Sequence, residues 1–302
     1  MFKKTLIAAA IATVSASAVM ADVSISGQVK VAVTDTDASD AAYTGTAVTV
    51  SDYAPSFDNS LTFKASDDLG NGMSAFAVLA LDVDEFASDD GTDNNEAKDM
   101  LAGVKGSFGT IVAGRMELLT TSKVLSVMDM GAGTGGIESG NTIQGRANAM
   151  AYISPTVNGV HVAVAGTMSA AADTFENTNI AVFYDNGPLS IKVVSEDAVA
   201  ANSDALVAAV TYSMGDLKVA YAMSDSDTAA EGTDNMYRLD YGMGNNVVTV
   251  GHLDDDTAGT ANNDVTEVKL THKLSKKTAV WAGVRDKKSG ADQTHFGIIT
   301  KF

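Results

Sequence analysis

Residues 22–36 read DVSISGQVKVAVTDT, and along this stretch apolar and polar side chains alternate. One face would carry the branched apolar residues Val23, Ile25, Val29, Val31 and Val33, and the opposite face the polar residues Ser24, Ser26, Gln28 and Lys30. A helix would spread the apolar groups around its circumference, whereas a strand directs successive side chains to opposite faces. The stretch therefore predicts a β-strand with one apolar face and one polar face.

The same period of two recurs along the chain, for example in LSIKVVS (189–195), DLKVAY (216–221) and MYRLDYG (236–242). Between such segments, Gly, Asn, Asp and Pro mark connections that alternate between short and long. The short connections are 67–72, 106–109, 154–159, 185–188, 213–216, 243–246 and 274–277, and the long ones are 35–58, 84–97, 116–146, 169–177, 197–203, 224–234, 253–263 and 286–292. Seven short and eight long connections require sixteen strands, which predicts an all-β fold of antiparallel hairpins.

The first 21 residues, MFKKTLIAAAIATVSASAVMA, have the composition of a secretory signal peptide. Lys3 and Lys4 precede a short apolar stretch that ends in small residues suited to cleavage before Asp22, with an earlier cut after Ala18 as the alternative. We therefore predict an exported chain with a single domain from residue 22 to residue 302. That domain has no apolar run of ~18 residues, so either it does not span a membrane or it spans one with strands.

Without the signal peptide the chain has 18 basic and 38 acidic side chains, a formal net charge of −20. Such a surface repels nucleic acid and attracts cations, so we expect no nucleic-acid partner. Cysteine is absent, and an exported protein without disulfides needs another source of stability, such as a large core or a closed sheet. The four histidines lack metal-ligand spacing and no G-x-S-x-G motif occurs, so we expect neither an enzyme nor a cofactor.

Short turns, long loops and strands of ~10 residues with one apolar face are typical of transmembrane β-barrels. The alternative, from another class, is a surface-exposed structural or adhesive β-protein with acidic loops. Those loops could bind calcium, and residues 88–96, SDDGTDNNE, offer the weak metal-ligand candidates Asp89, Asp90, Asp93 and Glu96. Their spacing does not match the D-x-D-x-D-G pattern of a calcium loop. The regular alternation of short and long connections favours the barrel.

Five segments together resemble the Gram-negative general diffusion porins. They are DVSISGQVKVAV (22–33), LTFKASDDLGNGMSAFAVL (61–79), GVKGSFGTIVAGR (103–115), NAMAYISPTVNGVHVAVA (148–165) and the terminal Phe302. The resemblance covers the whole chain after the signal peptide. It implies a sixteen-stranded barrel in the outer membrane of a Gram-negative bacterium, usually a homotrimer, embedded in lipid and lipopolysaccharide. It further implies a third long loop that folds inward and narrows a water-filled channel for passive diffusion of small hydrophilic solutes and ions.

The resemblance also implies roles for individual residues. The third long connection, 116–146, would supply the acidic side of the constriction through Glu117, Asp129 and Glu138. Arg115, Arg146, Lys64 and Lys30 would supply the basic side on the barrel wall, although alternation alone places Arg146 on the same face as Tyr152. With few basic groups and many carboxylates, we expect a preference for cations. Phe302 resembles the signal that the outer-membrane assembly machinery reads.

Overall fold

The computed structural model describes residues 22–36, 54–57, 59–83, 97–119, 123–129, 146–168, 175–198, 204–227, 232–255, 264–288 and 291–302. The predicted signal peptide, the calcium candidates at 89–96 and Glu138 lie outside these residues.

Within this part of the chain, seventeen strands alternate with turns and loops. They are β1 (Asp22–Thr36), β2 (Ala54–Phe57), β3 (Ser60–Gly70), β4 (Met73–Asp82), β5 (Ala97–Gly106), β6 (Gly109–Glu117), β7 (Arg146–Ile153), β8 (Val160–Met168), β9 (Phe175–Asn186), β10 (Leu189–Ala198), β11 (Ala205–Met214), β12 (Leu217–Ser226), β13 (Thr233–Met243), β14 (Asn246–Asp254), β15 (Val265–Lys273), β16 (Thr278–Lys287) and β17 (Gln293–Lys301). A 3-10 turn, Leu125–Val127, lies between β6 and β7. None of the described helices is long and apolar enough to cross a membrane.

All of the strands belong to one antiparallel sheet that closes on itself. From β3 to β17 each strand pairs with the next, and β17 pairs with β1, so that Lys30 stands opposite Ile299. Two strands, β2 and β3, pair with successive parts of β1 and act as one interrupted strand. With β2 and β3 counted as one strand, the barrel has sixteen strands. The predicted strand number and all-β class are confirmed.

The interruption between β2 and β3 was not predicted, and a side chain explains it. Asn59 lies between the two strands, and its Oδ1 accepts a hydrogen bond of 2.8 Å from the backbone N–H of Lys30. A side-chain acceptor thus takes a place that a strand carbonyl would otherwise fill, and the N–H of β1 stays satisfied. Alternation of hydrophobicity does not reveal such a replacement.

The outer face of the barrel is apolar, as the alternation predicts. Large apolar side chains at every second position are exposed there, among them Val162, Val164, Ile180, Val182, Leu239, Leu270, Val284, Phe296 and Ile298. An exposed apolar belt of this kind is unfavourable in water and suits contact with hydrocarbon.

The inner wall has two different halves. On β7–β12 most of its buried residues are apolar, among them Ala149, Ala151, Ala163, Ala165, Ala181, Ala209, Ala220 and Ala222, and its buried polar residues include Thr167, Asn179, Glu196 and Ser224. From β13 through β17 to β1 it is lined by buried polar and charged residues, which include Lys30, Thr34, Asp234, Thr249, Glu267, Lys269, Arg285 and His295. We call these the alanine wall and the charged wall.

Part of the long connection after β6 packs on the alanine wall. Leu119, Val124 and Met128 are buried in one cluster with the alanines of β7–β12, and the 3-10 turn contacts β11 and β12. Small side chains leave room for this segment, and each buried Val, Leu or Met contributes about 1.5–3 kcal/mol of hydrophobic stabilisation. Leu119 and the described residues 123–129 of the third long connection therefore lie against the inner wall of the barrel.

The last residue is paired into the seam where the barrel closes. Phe302 donates its backbone N–H to the Gly27 carbonyl at 3.0 Å and accepts the Gly27 N–H at 3.3 Å. Its ring lies over Gly27, since a Cβ added at that glycine would be 2.5 Å from the ring. An aromatic ring covering a strand glycine shields the exposed backbone.

Candidate functional site

Two basic side chains of the inner wall hold the loop segment that follows β6. Lys192 on β10 donates from Nζ to the Lys123 carbonyl at 2.8 Å. Arg238 on β13 donates from Nη1 to the Val127 carbonyl at 3.1 Å and also to the Asp129 carbonyl. We call residues 123–129 the inner segment. All three hydrogen bonds are accepted by its main chain.

Arg238 is itself held by its neighbours on the wall. Its Nε donates to Asp240 Oδ2 at 3.0 Å and its Nη2 to Asp240 Oδ1 at 3.1 Å, which gives a two-pronged ion pair. Residues two apart on a strand share a face, so Arg-x-Asp brings the opposite charges together. Thr249 on β14 donates to Asp240 Oδ1 at 2.7 Å. Contacts within the wall therefore orient the guanidinium independently of the loop.

Asp129 lies near a set of basic groups on the charged wall. Lys269 on β15 interacts electrostatically with Asp129, and also with Glu267, Arg238 and Lys30. The inner segment thus brings a carboxylate near the Lys269 ammonium of β15. Opposite charges across a narrow aqueous space create a transverse field.

A buried ion pair stands beside this region. Arg285 on β16 donates to Glu267 Oε2 on β15 from Nε at 2.9 Å and from Nη2 at 2.6 Å. His295 Nε2 on β17 lies 3.4 Å from Glu267 Oε1. The exposed fractions of Glu267, Arg285 and His295 are 0%, 5% and 0%.

Lys30 and Trp281 complete the charged wall at the closing seam. The Lys30 ammonium lies 6.0 Å from the centre of the Trp281 ring. The ring lies across Gly297, where a Cβ would collide with it. Alternation from Arg285 places Trp281 on the inner face, and the structure agrees. Lys64 on β3 pairs with Ser24 of β1, an even number of positions from Lys30, and so shares that face.

Arg115 occupies a different row from the one that the resemblance implies. Its register partners are Met100 on β5 and Asn148 on β7, with no shift of register on either side. This is the row of Ile111, which is exposed on the outer face. The Arg115 Nε donates to the Ala97 carbonyl at 3.0 Å.

Arg146 and Glu117 lie together at the end of the barrel where β6 and β7 terminate. They are register partners, and Arg146 Nη2 lies 3.5 Å from Glu117 Oε1. Arg146 Nε also donates to Asp99 Oδ1 at 3.0 Å. By register Arg146 shares a row with Tyr152, as alternation predicts. Glu117 is therefore an ion-pair partner of Arg146.

The residues that contact the inner segment were only partly predicted. Lys192, Arg238 and Asp240 fall on polar strand faces, but nothing in their spacing indicates which of them meets the loop. The pairs Arg238-x-Asp240 and Glu267-x-Lys269 could have been found as opposite charges two residues apart. Among the described residues, no group of three or more His, Cys, Asp or Glu could hold a metal ion.

Comparisons with known proteins identify the family and the fold. A family model described as Gram-negative porin matches residues 7–292, while a comparison with curated proteins finds no significant match. Among solved structures, a triple mutant of Rhodopseudomonas blastica porin has a TM-score of 0.77 at 14% identity, with 93% of this chain and 100% of that chain covered. A protein described as an anion-selective porin from Comamonas acidovorans has a TM-score of 0.69 at 21% identity, with 94% and 100% covered.

Proposed function

The chain belongs to the Gram-negative porin family, which makes it an outer-membrane channel for diffusion, and we propose that this channel prefers cations. The passage admits small hydrophilic solutes and ions. The connection between β6 and β7 narrows it, and Asp129 and Glu138 supply the negative side. The family favours this function over an adhesive or structural role.

The observation that carries the proposal is the attachment of the inner segment to the wall. Lys192 and Arg238 hold its carbonyls, and Asp129 interacts with Lys269. A carboxylate held inside a water-filled barrel attracts cations over a distance of about 8–10 Å at moderate salt.

The sign of the preference follows from this chain's own charges rather than from its fold. A similar barrel is described as anion-selective, so the barrel alone does not decide which ion passes. Two basic groups of the charged wall, Arg238 and Arg285, are neutralised by Asp240 and Glu267. The chain as a whole is strongly acidic, with a formal charge of −18 including residues 1–21. Both features favour cations.

Planar-bilayer recording of the purified protein tests the channel. We expect stepwise conductance and, in a KCl gradient at low salt, a reversal potential of the sign that cation preference requires. Pure, folded protein that gives no current would end the proposal of a channel. Current with a reversal potential of the opposite sign would end only the proposal of cation preference.

Neutralising the three predicted loop acids tests where the selectivity arises. The variant Glu117→Gln, Asp129→Asn, Glu138→Gln should move the reversal potential toward zero, because the carboxylates inside the barrel no longer attract cations. The control removes the same charge at short turns, with Asp67→Asn, Asp68→Asn and Asp216→Asn, and should move it much less. Equal shifts in the two triple variants would show that the loop acids have no special role. Since Glu117 pairs with Arg146, restoring Glu117 alone should change little.

We also propose that the channel assembles as a trimer in a bilayer with lipopolysaccharide, and that Phe302 is an assembly signal. A chain without Phe302 should give far less assembled trimer in cells, whereas the few trimers that form should conduct normally. Refolding of the same chain in detergent, without assembly machinery, should be affected less. Normal trimer yield in cells from the truncated chain would refute the signal.

A variant at Gly27 distinguishes the role of Phe302 as an assembly signal from its role in packing the seam. Gly27→Ala keeps Phe302, but its Cβ would lie 2.5 Å from both the Phe302 ring and the Ser60 carbonyl oxygen. We expect about 1–3 kcal/mol of destabilisation from such overpacking, measured as a lower temperature for the gel shift of the folded barrel. The control Gly242→Ala meets its nearest atom at 3.5 Å and should leave that temperature almost unchanged. A cellular defect in Gly27→Ala as large as in the truncated chain would assign the effect of Phe302 to packing.

A further inference from the structure

The inner segment is attached to the wall at its two ends. Lys192 donates a hydrogen bond to the Lys123 carbonyl at the start of the segment. Arg238 donates to the carbonyls of Val127 and Asp129 at its end. Val124 and Met128 between them are buried, with exposed fractions of 0% and 1%. Apolar packing places the segment on the alanine wall, but it does not determine the position of Asp129 at the segment's end.

Arg238 is suited to determine that position. A guanidinium offers five N–H donors in a planar fork, so a carboxylate on one edge leaves the other donors with a fixed direction. Asp240 occupies Nε and Nη2, and Nη1 points to the loop. Thr249 holds Asp240 in turn. Arg238 donates to the carbonyl of Val127, which ends the 3-10 turn Leu125–Val127, where main-chain acceptors lack partners within the turn.

We propose that Arg238, oriented by Asp240, is a positioning residue that sets the distance between Asp129 and the charged wall. Lys192 is the second attachment point of the same clamp. The clamp thereby fixes the width of the passage. This inference rests on the proposed channel function, because a clamp on the inner segment changes transport only if solutes pass there.

The clamp acts through geometry and not through its net charge. Arg238 and Asp240 form an ion pair, with exposed side-chain fractions of 16% and 14%, and together carry no net charge. A double substitution that neutralises both residues therefore removes the Arg238 attachment point of the clamp and leaves the summed charge of the wall unchanged. Altered transport in that variant would not come from a change in net charge.

The experiment compares the double variant Arg238→Gln, Asp240→Asn with a matched rim pair. The control is Lys288→Gln, Asp264→Asn, which removes an ion pair of 3.1 Å at the ends of β15 and β16. We expect the Arg238 variant to show a severalfold rise in open-channel current noise and to admit larger polyethylene glycols than the wild type. The control should match the wild type. The single variant Arg238→Lys should show smaller increases in current noise and polymer cut-off than the double variant. Its ammonium can donate to the carbonyls but cannot form the two-pronged ion pair with Asp240.

A second readout does not depend on conductance. The chain has no cysteine, so Ser126→Cys on the inner segment can carry a single spin label. Its mobility should be low in the otherwise unaltered protein and in the rim control, and should rise clearly when Arg238 and Asp240 are replaced.

The outcomes separate the clamp from the channel. Unchanged noise, polymer cut-off and label mobility in the Arg238, Asp240 variant would overturn the inference while the channel stands. A label that becomes mobile in a protein that never conducts would support the clamp and overturn the proposed function. Equal changes in the rim control would assign the effect to loss of an ion pair in general, which also overturns the inference.

Discussion

Arg285→Ala should destabilise the barrel by about 3–5 kcal/mol, because it leaves a buried carboxylate without its cation. Glu267 is fully buried and receives two hydrogen bonds from Arg285. Among its other neighbours, His295 lies 3.4 Å from the other carboxylate oxygen, and Lys269 interacts with Glu267 electrostatically. The variant should therefore unfold at lower urea concentration in detergent and lose its compact band on gels at lower temperature.

The control for Arg285 removes an equal charge from an exposed turn between the same two strands. Lys276 lies in the turn between β15 and β16 and is exposed, so Lys276→Ala should change the stability by no more than about 0.5 kcal/mol. If Arg285→Ala unfolds at the same urea concentration as Lys276→Ala, the Glu267 carboxylate is not held by that ion pair. The double variant Glu267→Gln, Arg285→Gln should recover much of the loss, because no unpaired charge remains.

Ala222→Leu should displace the inner segment from the alanine wall. Ala222 on β12 has no exposed surface and belongs to the cluster that contains Val124 and Met128. Extra carbon atoms in a filled space cost about 1–3 kcal/mol, and the surrounding closed sheet can yield less than a loop attached at a few points. We expect a changed conductance and polymer cut-off, with a barrel that still folds.

Ala102→Leu is the matched control for Ala222. Ala102 on β5 is exposed and shares the outer row of Met100, so added carbon atoms meet the apolar surroundings of the barrel. Its conductance should equal that of the wild type. A normal conductance and label mobility in Ala222→Leu would show that the alanine wall does not seat the inner segment.

The fold follows from a simple sequence pattern, whereas the details of the site do not. Alternation from Val23 to Val33 predicts which side of β1 is apolar, and turn residues predict sixteen strands. Asn59 shows the limit, because its side-chain bond to Lys30 splits one strand in two without changing the period. The sequence pattern also does not predict the two halves of the inner wall. Which strands face each other across the barrel depends on how the barrel closes.

The resemblance was informative about the architecture and less so about single residues. The register puts Arg115 in the outer row, because two continuous ladders leave no bulge to turn it inward. Arg146, which the resemblance places on the basic side of the constriction, forms ion pairs with Glu117 and Asp99. The partners of the inner segment had no signal in the sequence, because every residue carries a carbonyl and none is marked as the one that Arg238 will bind.

That last property has a consequence for how such channels diverge. Lys192 and Arg238 of the wall bind the carbonyl oxygens of Lys123, Val127 and Asp129. A substitution at any of these three positions would retain these carbonyls unless it distorted the backbone. The charge that faces the solute can therefore change in evolution while the attachment persists. An attachment through carbonyl oxygens therefore tolerates changes of side-chain charge along the inner segment, whereas an attachment through side chains at the same three positions would not.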